Sequence, residues 1–105
     1  MRAPRNFTSQ TYEDKLDAFS YEAMAEAAAS LGALGDRIEK KLASLREMSN
    51  SAQGRPALVA ELQSDVFAFL VQRELVGFRD QEAVIAQYRI PQEVLLGLGA
   101  HQNNR

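Results

Sequence analysis

The sequence predicts an all-α fold, a small helical bundle. One long N-terminal helix is followed by a second, apolar helix antiparallel to it and a short C-terminal helical hairpin. Three observations predict this. Apolar or small residues recur in helical steps of three and four at Tyr21, Met24, Ala28, Leu31, Gly35, Ile38, Leu42 and Leu45. Turn-forming residues at Asn50 to Arg55 and at Gly77 punctuate the chain at helix-sized intervals. No stretch alternates apolar and polar residues over the length of a strand, and no internal repeat is visible.

Residues 1–15 are polar and lack periodicity, with Pro4, Asn6, Thr8, Ser9 and Thr11. They read as a flexible or extended arm that Phe7, Tyr12 and Leu16 could anchor. A single helical domain is expected over 16–100, and a polar tail over 101–105. The first helix is expected from about Ser20, a plausible N-cap, to Met48. Its stripe has the heptad spacing that keeps one face toward a partner helix. Glu22, Glu26, Asp36, Glu39, Lys40, Arg46 and Glu47 take the other face, with Asp36 and Lys40 in the favourable i, i+4 order. Gly32 and Gly35 each weaken the helix by roughly 1 kcal/mol against Ala. Either the helix kinks there or another backbone comes close, and the place of Gly35 on the stripe favours close approach.

Pro56 suits the first turn of a second helix running to about Val76. Leu58, Val59, Leu62, Val66, Phe67, Phe69, Leu70, Val71, Leu75 and Val76 cover so wide an arc that burial on two sides is expected, with Leu62, Val66 and Phe69 against helix 1. Gly77 ends this helix. Asp80 caps a third, Gln81 to Tyr88, and Pro91 opens a fourth that Gly97 and Gly99 help to end.

The composition excludes much chemistry. The chain has 105 residues, a formal net charge of −2 and no Cys, which removes disulfides, thiolate catalysis and Cys-type metal sites. Its one His, His101, lies in the tail, so Ser30, Ser44, Ser49 and Ser64 have no partner for activation. The Gly32–Gly35 segment lacks the Lys of a phosphate loop, and Glu22 and Glu26 lack the Glu-x-x-His of a di-iron site. These absences point away from an enzyme, and no cofactor or metal is expected. No stretch is apolar enough for a signal peptide or a membrane span, so a cytoplasmic, soluble chain without a membrane partner is expected.

Two segments carry polar residues worth placing. Arg73 and Glu74, then Arg79 and Asp80, surround the Gly77 turn. They form either a small-ligand site or a structural cluster in which Arg73 pairs with Asp80, or with Glu26 or Glu39, and Glu74 with Arg79. Gln81 to Ala100 has the spacing of a helix-turn-helix, which would make the protein a DNA-binding regulator. Its second helix has no Lys or Arg, and Pro56 to Leu98 carries an acidic balance, so nucleic acid is not the expected partner.

Tyr21-Glu22-Ala23-Met24-Ala25, Val71-Gln72-Arg73-Glu74, Arg79-Asp80-Gln81-Glu82-Ala83-Val84-Ile85 and Ile90-Pro91-Gln92-Glu93-Val94-Leu95 stand out together. With them, Tyr21 to Ala100 resembles a family of small uncharacterised all-α proteins of α-proteobacteria, a domain of unknown function. The resemblance implies a bacterial cytoplasmic setting and a helical fold, and transfers no catalytic or binding residue.

Helix 1 sets the functional expectation. Tyr21 to Met48 would span roughly 42 Å, more than a compact domain of this size covers. Either the helix bends at Gly32 to Gly35 or a partner subunit covers the excess. A self-associating interaction or structural module is therefore expected, a homodimer through helix 1 or the apolar face of helix 2. Met24, Leu31, Gly35, Ile38, Leu42 and Leu45 form the core or dimer stripe.

Overall fold

The computed structural model describes the backbone of residues 3–98 and the side chains from 14 onward, apart from 16. Four helices follow one another: α1 (Ala3–Glu47), α2 (Arg55–Leu75), α3 (Gln81–Tyr88) and α4 (Gln92–Leu95). No strand occurs among the described residues. His101, the segment 101–105 and the domain boundary at 100 lie outside them.

The first helix starts far earlier than its periodicity does. Ser20 is an interior residue, not the N-cap, and most of the stretch expected as a flexible or extended arm is helical from Ala3. The physical reason is cooperativity. Adding a residue to an existing helix gains a hydrogen bond without a new nucleation cost, so an amphipathic face is not required at every turn. Pro4 falls in the first turn, where its missing N–H has no intrahelical partner to lose.

The chain divides into two compact units, Met1–Ser30 and Leu31–Arg105. In the second, α1 supplies Leu34, Ile38, Leu42 and Leu45, and α2 supplies Leu62, Val66, Phe69 and Leu70. Val84, Ile90 and Val94 close the core. Leu31–Glu47 of α1 is about 26 Å long and α2 about 32 Å, so their lengths match. They run antiparallel: Lys41 Nζ lies 3.1 Å from Glu61 and 2.7 Å from Asp65, and Arg37 Nη2 lies 3.3 Å from Asp65. The Asp65 hydrogen bond holds the proton on Lys41, and its pKa sits above the ordinary 10.5 although burial opposes this.

Gly35 is the close-packing point. A Cβ there would stand 2.7 Å from the Tyr88 hydroxyl and 3.4 Å from the Phe69 ring. The rings meet edge to face with centroids 5.6 Å apart. Close approach was expected at Gly35, but aromatic side chains make it rather than a second backbone. Burial raises the Tyr88 pKa above 10.0, with Glu39 and Asp36 adding to the shift.

Arginines tie the helix ends together. Arg55 Nη1 donates to the Leu45 and Met48 carbonyls at 3.2 Å, capping the C-terminus of α1, while Nη2 pairs with Glu93 of α4. Arg46 Nη2 donates to the Tyr88 and Arg89 carbonyls at 3.0 and 3.2 Å, where the cation suits the C-terminal dipole of α3. Gly97 lets the Gln63 amide pass and donate to the Glu93 carbonyl at 3.0 Å.

α2 packs against α1 on one side and against α4 on another, but its apolar arc is wider still. Leu62, Val66, Phe69 and Leu70 are core, but Val71 is 40% and Leu75 80% exposed. The rest of the arc, at Val71 and Leu75, faces solvent.

In the first unit, α1 carries Phe19, Tyr21 and Met24 on its surface, 58–77% exposed. The side chains of Phe7, Tyr12 and Leu16, the expected anchors, lie outside the described residues.

Candidate functional site

The polar cluster gathers around the turn that follows α2. Gly77 adopts φ +104°, a conformation that side chains disfavour. The Phe78 N–H donates to the Arg73 carbonyl at 2.8 Å and the Gly77 N–H to Glu74 at 3.0 Å. This 6→1 and 5→2 pair is the Schellman motif. It folds Asp80 back over the last turn of α2, and Arg73 Nη2 lies 2.6 Å from Asp80 Oδ1. The Arg73 guanidinium also sits 5.0 Å from the Phe78 ring and 5.9 Å from the Phe69 ring. Arg73 thus has one carboxylate and two aromatic rings of the protein beside it. Asp80 precedes α3 in the N-cap position but makes no side-chain cap bond, since its carboxylate serves Arg73 instead. Glu74 accepts from Gln81 Nε2 at 3.2 Å rather than from Arg79.

The C-terminal hairpin is built on a second tight turn. Arg89 takes φ 53°, the left-handed conformation, and the Ile90 N–H donates to the Ile85 carbonyl at 3.1 Å. α4 has four residues, with Val94 buried and Gln92 and Glu93 exposed. No basic side chain projects from it.

The stripe of α1 divides sharply. Gly35, Ile38, Leu42 and Leu45 are buried under α2 and Leu31 is half-buried. Met24 is 58% and Tyr21 77% exposed. They share an exposed face of α1 with Asp17, Ser20, Ala25 and Ala28. The same residue pattern thus makes a core in one half of the helix and a surface in the other.

Sequence reasoning missed the arginine ties. Arg55 and Arg46 act on partners up to 43 residues away, and no local pattern signals such contacts. Their partners are carbonyls and a carboxylate within the fold, so their work is structural. Among the described residues, no group of His, Asp or Glu could hold a metal ion, and no helix is long and apolar enough to cross a membrane.

Fold and surfaces together define a small all-α bundle in which, among the described residues, Tyr21 and Met24 of α1 are exposed. The chain belongs to the family of unknown function DUF6665, whose pattern matches residues 12–105. No curated protein and no solved structure matches it. The family match runs through the bare half of α1 as well as the packed half.

Proposed function

We propose that this protein is a small interaction module that self-associates, as a homodimer, through the exposed first half of the α1 stripe. One observation carries the reading: a single heptad stripe is buried from Gly35 to Leu45 and open at Tyr21 and Met24. A helix that is bare on all sides is marginal in water, because most helical stability in proteins comes from packing an apolar face. Covering Tyr21, Met24 and Ala28 with a second chain would supply that packing. The other readings have less support. Arg73 already spends its charge on Asp80 and its faces on Phe69 and Phe78, which leaves a ligand little to bind. α4 is one turn long and presents no cation to a phosphate.

Sedimentation at micromolar concentration tests the reading. Two chains of 11.7 kDa are expected to travel together. Met24→Asp, which places a charge on the open stripe, should return the protein to a single chain without changing its fold. A monomer at every concentration would overturn the proposal.

A further inference from the structure

Of the two glycines inside α1, packing requires only one. Gly35 is buried, and a Cβ on it would meet the Tyr88 hydroxyl at 2.7 Å. Gly32 is exposed, and a Cβ on it would meet nothing within 4 Å. Its backbone does not call for a glycine either. It lies in the interior of a helix, and among the described glycines Gly77 alone has a positive φ. A glycine in such a place lowers the helical weight of its position about fivefold against alanine.

Gly32 stands where the cover of α1 changes. Leu34 is 6% exposed, and Leu31 is half-buried against the core. From Asp17 to Ser30, Ala27 is half-buried and every other side chain is exposed. The compact units of the chain part between Ser30 and Leu31. The segment ahead of Gly32 therefore keeps its helix on local terms. Ala23, Ala25, Ala27, Ala28 and Ala29 favour it. Glu22 and Glu26, like charges four residues apart, oppose it. Nucleation is the costly step, so such a helix forms by extension from one already held in place. The turns of α1 that are held in place begin at Leu34. Every turn extended from them toward the N-terminus has to pass residue 32.

We infer that Gly32 is a built-in break in α1: segment 17–31 unwinds as a unit up to this glycine while the core from Leu34 onward stays folded. Helical order ahead of Gly32 is then gained or lost without disturbing the core. This is independent of the self-association reading, which concerns what covers the segment once it is helical.

Amide exchange tests the break in dilute protein, where sedimentation finds single chains, under conditions in which opening equilibria set the rates. Amides from Tyr21 to Ser30 should exchange faster than those from Leu34 to Leu45. Phe69→Ala, which weakens the core, should speed the second group and leave the first unchanged. Val84→Ala, a smaller truncation of a buried residue, takes its place if Phe69→Ala does not fold. Gly32→Ala should slow the whole first group together, by about fivefold. Equal speeding of both groups by the core variant would overturn the inference, because α1 would then open as one unit. So would a Gly32→Ala variant in which Tyr21 to Ser30 exchange as before, because the segment would then fray from its far end without opening as far as the glycine.

Discussion

Along α1, Leu34, Ile38, Leu42 and Leu45 are 1–6% exposed, whereas Phe19, Tyr21 and Met24 are 58–77% exposed. One helix thus presents two environments. From Leu31 onward it meets α2, whose own apolar residues Leu62, Val66, Phe69 and Leu70 complete a core. Before Ser30 the stripe continues at the same spacing and the described residues of its own unit leave it open. The difference teaches that heptad spacing identifies the face that packs but not what packs on it. Burial is decided by the partner, and here the partner of the second half is in the same chain.

The largest effects should separate the two halves directly. Phe69→Ala removes the ring over Gly35 and should cost about 3–5 kcal/mol in urea denaturation. Met24→Ala, measured in dilute solution, should change stability by no more than about 0.5 kcal/mol, as for other exposed sites. Similar losses from both would mean that the halves are packed alike, and the comparison would break.

Arg55→Ala should follow in size. It uncaps the Leu45 and Met48 carbonyls and leaves Glu93 without its cation. Hydrogen bonds to charged groups contribute about 1.5–3 kcal/mol, so a loss in that range is expected. The change should appear in the melting of the core and leave association untouched. An effect on dimer mass alone would place Arg55 in the wrong half of the comparison.

Two glycines three residues apart sharpen it further. At Gly32 an added Cβ meets nothing within 4 Å, so Gly32→Ala should stabilise by about 1 kcal/mol through helix propensity. At Gly35 the same methyl meets the Tyr88 hydroxyl at 2.7 Å. Overpacking of about 1–3 kcal/mol should outweigh the propensity gain, and Gly35→Ala should lower the melting temperature. A rise in both variants would show that Tyr88 yields without cost.

The smallest expected effect is the pH dependence of the packed half. Lys41 and Tyr88 both have folded pKa values raised above their ordinary 10.5 and 10.0. A proton held more tightly in the folded state stabilises it at all pH values below the unfolded pKa. That contribution is lost as pH rises through the folded value. Urea midpoints should therefore fall above about pH 10, and Lys41→Met combined with Tyr88→Phe should flatten the fall. An unchanged slope in the double variant would assign the loss to other groups.

Much of the fold was legible in the sequence. α3 begins and ends at Gln81 and Tyr88, as Asp80 and the following turn imply, and Gly77 closes α2 because its φ requires a glycine. The start of α1 was not legible. Residues 3–15 extend a helix already nucleated, and extension leaves no periodic mark. Long-range ties were hidden for a different reason. Arg37, Lys41 and Asp65 look like ordinary surface charges until antiparallel packing sets them side by side. The pairing of Arg73 with Asp80 was within reach because seven residues and one glycine turn separate them. For the site, the sequence located the stripe but not the boundary at which its cover ends. The core that covers Gly35 to Leu45 is assembled from α2, α3 and α4, and no local pattern on α1 marks where it ends.

Amide hydrogen exchange along α1, followed as protein concentration is raised, compares the two halves most directly. Amides from Leu34 to Leu45 should be protected at every concentration, since α2 covers them within one chain. Amides around Tyr21 to Ala28 should exchange quickly in dilute protein, where a bare helix opens locally, and slow as a second copy covers that face of α1. Protection around Met24 that does not change with concentration would contradict this, and would mean that the first half of the stripe needs no second chain.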